Sequence, residues 1–296
     1  MATLKDIQLK IAGIGKTKQI TKAMNMVATS RLRGAQMNMD AFRPYAGKFA
    51  EVLGSVAEKA GEDASPLLIP RDEVKNIHIV LCTSDRGLCG GFNANLIDAA
   101  EKLAKEKAAA GADVSLTYFG KKGFDWGKKE SYTVADKFLG VVGSKIGFNV
   151  AVTGGRTLVD RFLDETYDEV YIVFSEFVSM AKQLPTVKQL LPIPAIEKDE
   201  AESEVDDVYQ AEHICEPSAN ELLADLLPRN IYVQLFSTLL ETSTSEHAAR
   251  MAAMDNATKA CNDMLEQLTL TYNKARQAAI TADLMDIVGG AEALKG

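Results

Sequence analysis

The sequence predicts an α/β protein: a long antiparallel coiled coil of N- and C-terminal helices around a central Rossmann-like α/β domain. Three observations carry this. Apolar residues recur at helical spacing through the first sixty positions, strand-like and helix-like segments alternate through the middle, and a stretch with no Gly or Pro runs from Arg229 to Val288 and carries a heptad seam from Met251 to Ala282.

The first element spans residues 1–59. Leu4, Ile7, Ile11 and Ile14 step by three and four, Ile20, Met24 and Val27 resume the pattern, and Leu32, Ala35, Met39 and Phe42 continue it. Thr3 followed by Asp6 is a helix-start signal. Gly13, Gly15 and Gly34 each weaken a helix by about 1 kcal/mol relative to Ala, and Pro44 kinks or ends it.

Residues 75–195 form the α/β domain. "NIHIVLCT" reads as strand, Phe92–Ala110 as helix, "DVSLTYFG" and part of "SYTVADKFLG" as strands, and 144–165 as mostly helix. "YDEVYIVFSEF" and "PTVKQLLPIP" complete a largely parallel sheet. Residues 196–216, with the run "EKDEAESEVDD", read as an acidic linker or solvated loop.

The C-terminal helix occupies 217–288. Ser218 and Glu221 form a capping box. Met251, Met254, Thr258, Cys261, Leu265, Leu268, Tyr272, Ala275, Ala279 and Ala282 form the seam, and Gly289-Gly290 supplies the stop. Sixty helical residues span about 90 Å, against about 50 Å for a compact ball of this chain length, so an unbroken helix has to protrude. The alternative is a break at the Ser/Thr cluster "ETSTSEH". An amphipathic helix needs a partner for its seam, and the N-terminal stripe is the one available. Both helices join the same body, so they are expected to lie antiparallel, with the C-terminal one extending past the pair. The seam is rich in Ala and Thr and buries little area, which calls for something larger around the rod.

Composition narrows the function classes. The 296 residues are 47% hydrophobic and 25% charged, in the range of a globular protein. No apolar run is long enough to cross a membrane, and no secretory leader opens the chain. Cys82, Cys89, Cys215 and Cys261 match no zinc or CxxC spacing, which points to a reducing compartment. The net charge is −8, yet residues 1–50 hold nine Lys/Arg against Asp6 and Asp40, a surplus of seven, which leaves −15 for the rest. The lysines at 16, 18 and 22 fall mostly off the stripe, so they form either a solvated face or a basic rod against acidic protein. No aromatic residues interleave with them and no nucleic-acid module is present.

The loop "SDRGLCGGFN" invites a catalytic reading and fails it. It lacks the lysine and hydroxyl of a P-loop, and Gly87, Gly90 and Gly91 do not make G-x-G-x-x-G. Residual phosphate binding by backbone amides stays open. Cys89 has no partner motif around His78, His213 or His247, and Ser84-Asp85 is no nucleophile elbow.

Three separated motifs carry a resemblance: "TSDRGLCGGFN" after a strand, "ITKAMNMVATSRLR" near the start, and "SEHAARMAAMDNAT…YNKARQAAIT…IVGGAEAL" at the end. In order and over essentially the whole chain, they resemble the gamma subunits of F-type ATP synthases. The resemblance implies a non-catalytic central stalk that couples proton translocation to ATP synthesis. Its partners would be a ring of three alpha and three beta subunits, the epsilon subunit and the membrane c-ring, with no cofactor and no metal. It would be peripheral to the cytoplasmic face of a bacterial inner membrane, a source favoured by a chain that starts directly at its helix. By position, Met24, Arg250, Arg276, Gln277 and Thr281 fall in family segments facing the beta subunits. Asp85, Arg86 and Cys89 fall in a docking loop near the lower collar, and Glu216 at a position facing the ring. His213 and Cys215 stand where relatives often carry aromatics, and the chloroplast-type regulatory cysteine insertion is absent. Two rivals are an enzyme using the α/β domain on a nucleotide cofactor and a coiled-coil adaptor unrelated to energy conversion.

Overall fold

The computed structural model describes residues 3–60, 65–130, 132–143, 146–194, 215–216 and 218–294. Its elements are α1 (Leu4–Ala60), β1 (Asn76–Cys82), α2 (Phe92–Ala109), β2 (Asp113–Phe119), α3 (Lys121–Gly127), β3 (Thr133–Phe138), α4 (Phe148–Leu163), β4 (Glu169–Phe177), β5 (Gln183–Leu191) and α5 (Ala219–Ala293). The chain divides into two compact units: one draws on Met1–Thr29 and Arg250–Gly296, the other on Ser30–Ala249.

The larger unit is built on a sheet in the order β3-β2-β1-β4-β5. β1 pairs in parallel with β2 and β4, β2 in parallel with β3, and β5 runs antiparallel to β4. β1 is buried along nearly its whole length, as a central parallel strand covered on both faces must be. Its side chains alternate between two cores. Ile77, Ile79 and Leu81 meet Phe92, Leu96 and Ala100 of α2. Val80 and Cys82 face the other core, where α4, the second half of α1 and the first part of α5 supply Leu158, Phe162, Leu53, Val56, Leu227, Ile231 and Leu235. Helices lie close here because Gly155 of α4 has no side chain: a Cβ on it would come within 2.4 Å of Tyr232.

The smaller unit is a helix pair made of residues 4–29 of α1 and 250–293 of α5. Thr21 and Thr258 hydroxyls meet at 2.8 Å, and Asn25 Nδ2 donates to the Met251 carbonyl at 2.8 Å. Residue numbers rise along one helix and fall along the other, so the pair is antiparallel. Its seam is Ile7, Thr21 and Ala28 against Met254 and Cys261, all buried, with Leu4, Ile11, Ile14, Leu265, Leu268, Tyr272, Ala275 and Ala279 half-buried.

Two register expectations are corrected. Ile20 and Val27 were expected on the stripe but are 59% and 54% exposed. The buried and half-buried positions continue from Ile14 through Lys18, Thr21, Asn25 and Ala28 to Leu32, an unbroken three-four alternation, and Lys18 therefore lies on the seam rather than off it. A continuous helix keeps its register whatever residues stand there, so periodicity prevailed over local hydrophobicity. Ala282 was placed in the seam of α5 and is exposed. At equal rise per residue, α1 begins at Leu4 level with about residue 275, so Ala282 has no α1 neighbour.

The helix-start signals hold. Thr3 N donates to Asp6 Oδ2 at 3.0 Å while Asp6 N donates to Thr3 Oγ1 at 3.3 Å. Glu221 N donates to Ser218 Oγ at 3.2 Å. α1 continues through Pro44, and α5 continues through "ETSTSEH" and through Gly289-Gly290, which were expected to stop it, to Ala293. The hydroxyls in that cluster do not break the helix because they bond back to carbonyls of the preceding turn, Thr242 to Thr238 at 2.7 Å and Thr244 to Leu240 at 2.9 Å. Ser245 reaches across to the Ser175 carbonyl at 3.2 Å. The one missed element is α3, a two-turn helix between β2 and β3. His213 and the acidic run lie outside the described residues.

Candidate partner-contact surfaces

β1 ends beneath the loop 84–91, and α2 begins directly after it. Asp85 Oδ1 accepts from the backbone N–H of Lys121 at 3.0 Å and of Gly140 at 2.8 Å. One carboxylate thereby ties together the chain leaving β1, β2 and β3. Asn93, one residue into α2, holds the loop from the other side: its Oδ1 accepts from Ser84 N at 3.0 Å, and its Nδ2 donates to Ser84 Oγ at 2.8 Å and Cys89 Sγ at 3.2 Å. Ser84 Oγ donates to the Arg86 carbonyl at 2.5 Å.

These bonds shape a turn with Leu88 at φ +64° and Gly90 at φ +61°. Glycine adopts that conformation freely, whereas for leucine the left-handed region costs about 1–2 kcal/mol. Cys89 is turned inward and 2% exposed, while Leu88 is 64% exposed and Arg86 is exposed. Ser84 N bonds Asn93 Oδ1, and Phe92 N at the start of α2 bonds the Cys89 carbonyl. The Cys89 thiol accepts a hydrogen bond inside the fold and presents no surface for attack. Lys122 lies beside Gly87, its Cε 3.8 Å from where a Cβ would stand. The loop therefore offers one apolar side chain with cations around it.

In the helix pair, Met24 is half-buried and Arg250 is buried, while Arg276, Gln277 and Thr281 are exposed on α5. Every residue of α5 from Ile280 to Ala291 is exposed, including Ile280, Leu284, Met285, Ile287 and Val288. α1 adds Leu9, Ile20, Met26 and Val27 on its outer face. Apolar surface on this scale on an otherwise charged rod marks an interaction site. Sequence reasoning missed the exposed apolar side chains of α5 from Ile280 to Val288, although a signal was present: apolar residues that stand off the heptad seam of a helix have no use inside the pair. Glu216 is exposed next to half-buried Cys215. The predicted contact residues thus fall in separate places, with Asp85, Arg86 and Cys89 in one loop and Arg276, Gln277 and Thr281 on one helical segment. Among the described residues, no cluster of three or more His, Cys, Asp or Glu is placed to hold a metal, and no helix is long and apolar enough to cross a membrane.

The chain matches the family described as ATP synthase over residues 3–294. It is similar to the ATP synthase gamma chain of Desulfosudis oleivorans, with 64% identity over 298 residues and all of both chains covered. It is similar to the ATP synthase gamma chain of Nitratidesulfovibrio vulgaris, with 56% identity over 296 residues and again 100% of each chain. Among solved structures, it resembles a chain of the Euglena gracilis mitochondrial ATP synthase rotor, with a TM-score of 0.63, 17% identity, and 94% of this chain and 98% of that one covered. It also resembles a chain of the Tetrahymena thermophila mitochondrial ATP synthase central stalk and c-ring, with a TM-score of 0.58, 21% identity, and 80% and 99% covered. At those identities, the two structures speak to the fold.

Proposed function

The chain belongs to the ATP synthase gamma-chain family, and on that premise we propose that it is the rotating shaft that couples proton flow through a membrane ring to ATP synthesis at alpha/beta catalytic sites. The observation that carries this is the helix pair whose C-terminal member outruns its partner and exposes Ile280, Leu284, Met285, Ile287 and Val288 on the overhang. A bearing surface needs those properties. Apolar contacts are non-directional and slide, whereas exposed ion pairs are individually worth about 0–1 kcal/mol and do not lock a rotor in place.

The coupling is mechanical. A shaft that contacts three equivalent sites differently at each angle makes the conformational free energy of each site depend on that angle. Turning it carries each site through binding, reaction and release without any catalytic side chain on the shaft.

Within this reading, Met24, Arg250, Arg276, Gln277 and Thr281 lie in segments that meet the beta subunits. Arg86 docks at the lower collar, with Asp85 and Cys89 holding its loop, and Glu216 faces the membrane ring. The α/β unit sits on that ring with the epsilon subunit, at the cytoplasmic face of a bacterial inner membrane. Reconstitution tests the proposal: the chain alone hydrolyses no ATP, and its addition to the remaining subunits restores proton-coupled synthesis. Hydrolysis by the chain alone, or tight stoichiometric nucleotide binding to it, favours an enzyme instead.

A further inference from the structure

The loop after β1 devotes a carboxylate, a carboxamide and a hydroxyl to holding one turn, and the side chain displayed at that turn is Leu88. Only one other described residue besides glycine has a positive φ: Glu165, at φ 59°, just past the C-terminal end of α4. A left-handed residue there is a common way to end a helix, so Glu165 has a local explanation. Leu88 has none. Glycine or asparagine would sit relaxed at φ +64°, yet a large apolar residue stands there with 64% of its surface exposed. Strain of this kind persists where surrounding bonds over-determine it, and it gathers at sites of contact. The side chain contributes little to the chain's own packing, since its neighbour Cys89 takes the buried position. Exposed Arg86 two residues before it and Lys122 beside Gly87 set positive charge around it.

We infer that Leu88 is the specificity-determining contact of this loop, an apolar knob that enters an apolar socket with an acidic margin on a nucleotide-binding subunit of the surrounding ring. The inference rests on the shaft reading above and adds to it the group that carries the loop's contact. A desolvated apolar anchor inside a charged rim is the arrangement in which one side chain dominates an interface, and the flanking cations speed and orient the encounter.

The experiment uses Leu88→Cys in the full chain carrying Cys215→Ser; the remaining cysteines are buried. Maleimide labelling is followed in the free chain and in a nucleotide-arrested complex with the alpha and beta subunits, and Leu163→Cys on α4 serves as an exposed control. The inference expects labelling at position 88 to slow by about tenfold or more on assembly, as for a fully desolvated contact, while position 163 is unaffected. Unchanged labelling at 88 in an assembled complex overturns the inference and leaves the shaft reading standing. A wild-type chain that assembles with neither subunit removes both. In parallel, Leu88→Asn keeps the left-handed backbone and removes the apolar group, so it should lower coupled ATP synthesis while Leu88→Met preserves it. Equal synthesis by all three chains also contradicts the inference.

Discussion

His78 shows how one residue ties the sheet to acid. It stands in the middle of β1, fully buried, with Nδ1 2.8 Å from Ser115 Oγ, Nε2 3.0 Å from Thr117 Oγ1 and its ring stacked on Tyr167 at 4.1 Å. Burial, and secondarily the charge of Arg161, pushes its pKa down to about 3. The folded protein then binds a proton at His78 only below about pH 3, while the unfolded chain binds one below about 6.5. Stability from this site is therefore complete above pH 6.5 and declines as pH falls toward 3, by up to about 1.4 kcal/mol per pH unit. Comparing denaturant unfolding of His78→Asn with the natural chain across that window should show a flatter pH dependence in the variant; parallel curves contradict the assignment. The sequence offered only an isolated histidine in an apolar run. That both ring nitrogens are satisfied by the adjacent strand depends on the β1–β2 register, which one strand's residues do not encode.

At the scale of elements, the helix pair makes a sharp statement about register. Thr21 and Thr258 touch through their hydroxyls, so Thr21→Cys with Thr258→Cys should form an intramolecular disulfide under mild oxidation, since cysteines with closely facing side chains can be bridged. Cysteines at Ile20 and Thr258 should not, because Ile20 points outward. A cross-link from position 20 and none from 21 would return the register to the hydrophobic stripe. The overhang carries a second prediction. Leu284→Glu with Ile287→Glu alters side chains that are exposed and lie beyond α1, so helix content and the unfolding midpoint should hold. Assembly with the alpha and beta subunits should weaken by tenfold or more, about 1.4 kcal/mol; an unchanged affinity would deny the overhang a bearing role. Both helices and their antiparallel pairing were legible in periodicity and in the residues that start each helix, whereas Gly289-Gly290 did not mark the end of α5. The middle of the α1 seam was not, because Lys18, Thr21 and Asn25 occupy it by helical geometry while Ile20 and Val27 advertise the wrong face. α3 escaped notice because seven residues with glycines at Gly123 and Gly127 carry no pattern of their own. Those glycines exist for close approach: a Cβ on Gly127 would collide with the Tyr118 hydroxyl.

For the molecule as a whole, the family was legible because three motifs far apart in the chain agree in order, whereas which side chains of a loop face outward was not. In the loop after β1, Asp85 and Cys89 bond inward, and the side chains turned outward are Arg86 and Leu88. Which residue of a turn faces outward follows from φ and from hydrogen bonds closed by distant segments such as Gly140, and these appear only once the sheet has formed. On the shaft reading, this chain transmits torque and performs no chemistry. The most direct test fixes the alpha and beta subunits to a surface, attaches a marker to the chain through Leu163→Cys, and watches the marker while ATP is supplied. A shaft should rotate in one direction and stop when ATP is withdrawn. A marker that stays still while the complex hydrolyses ATP at full rate would contradict that reading.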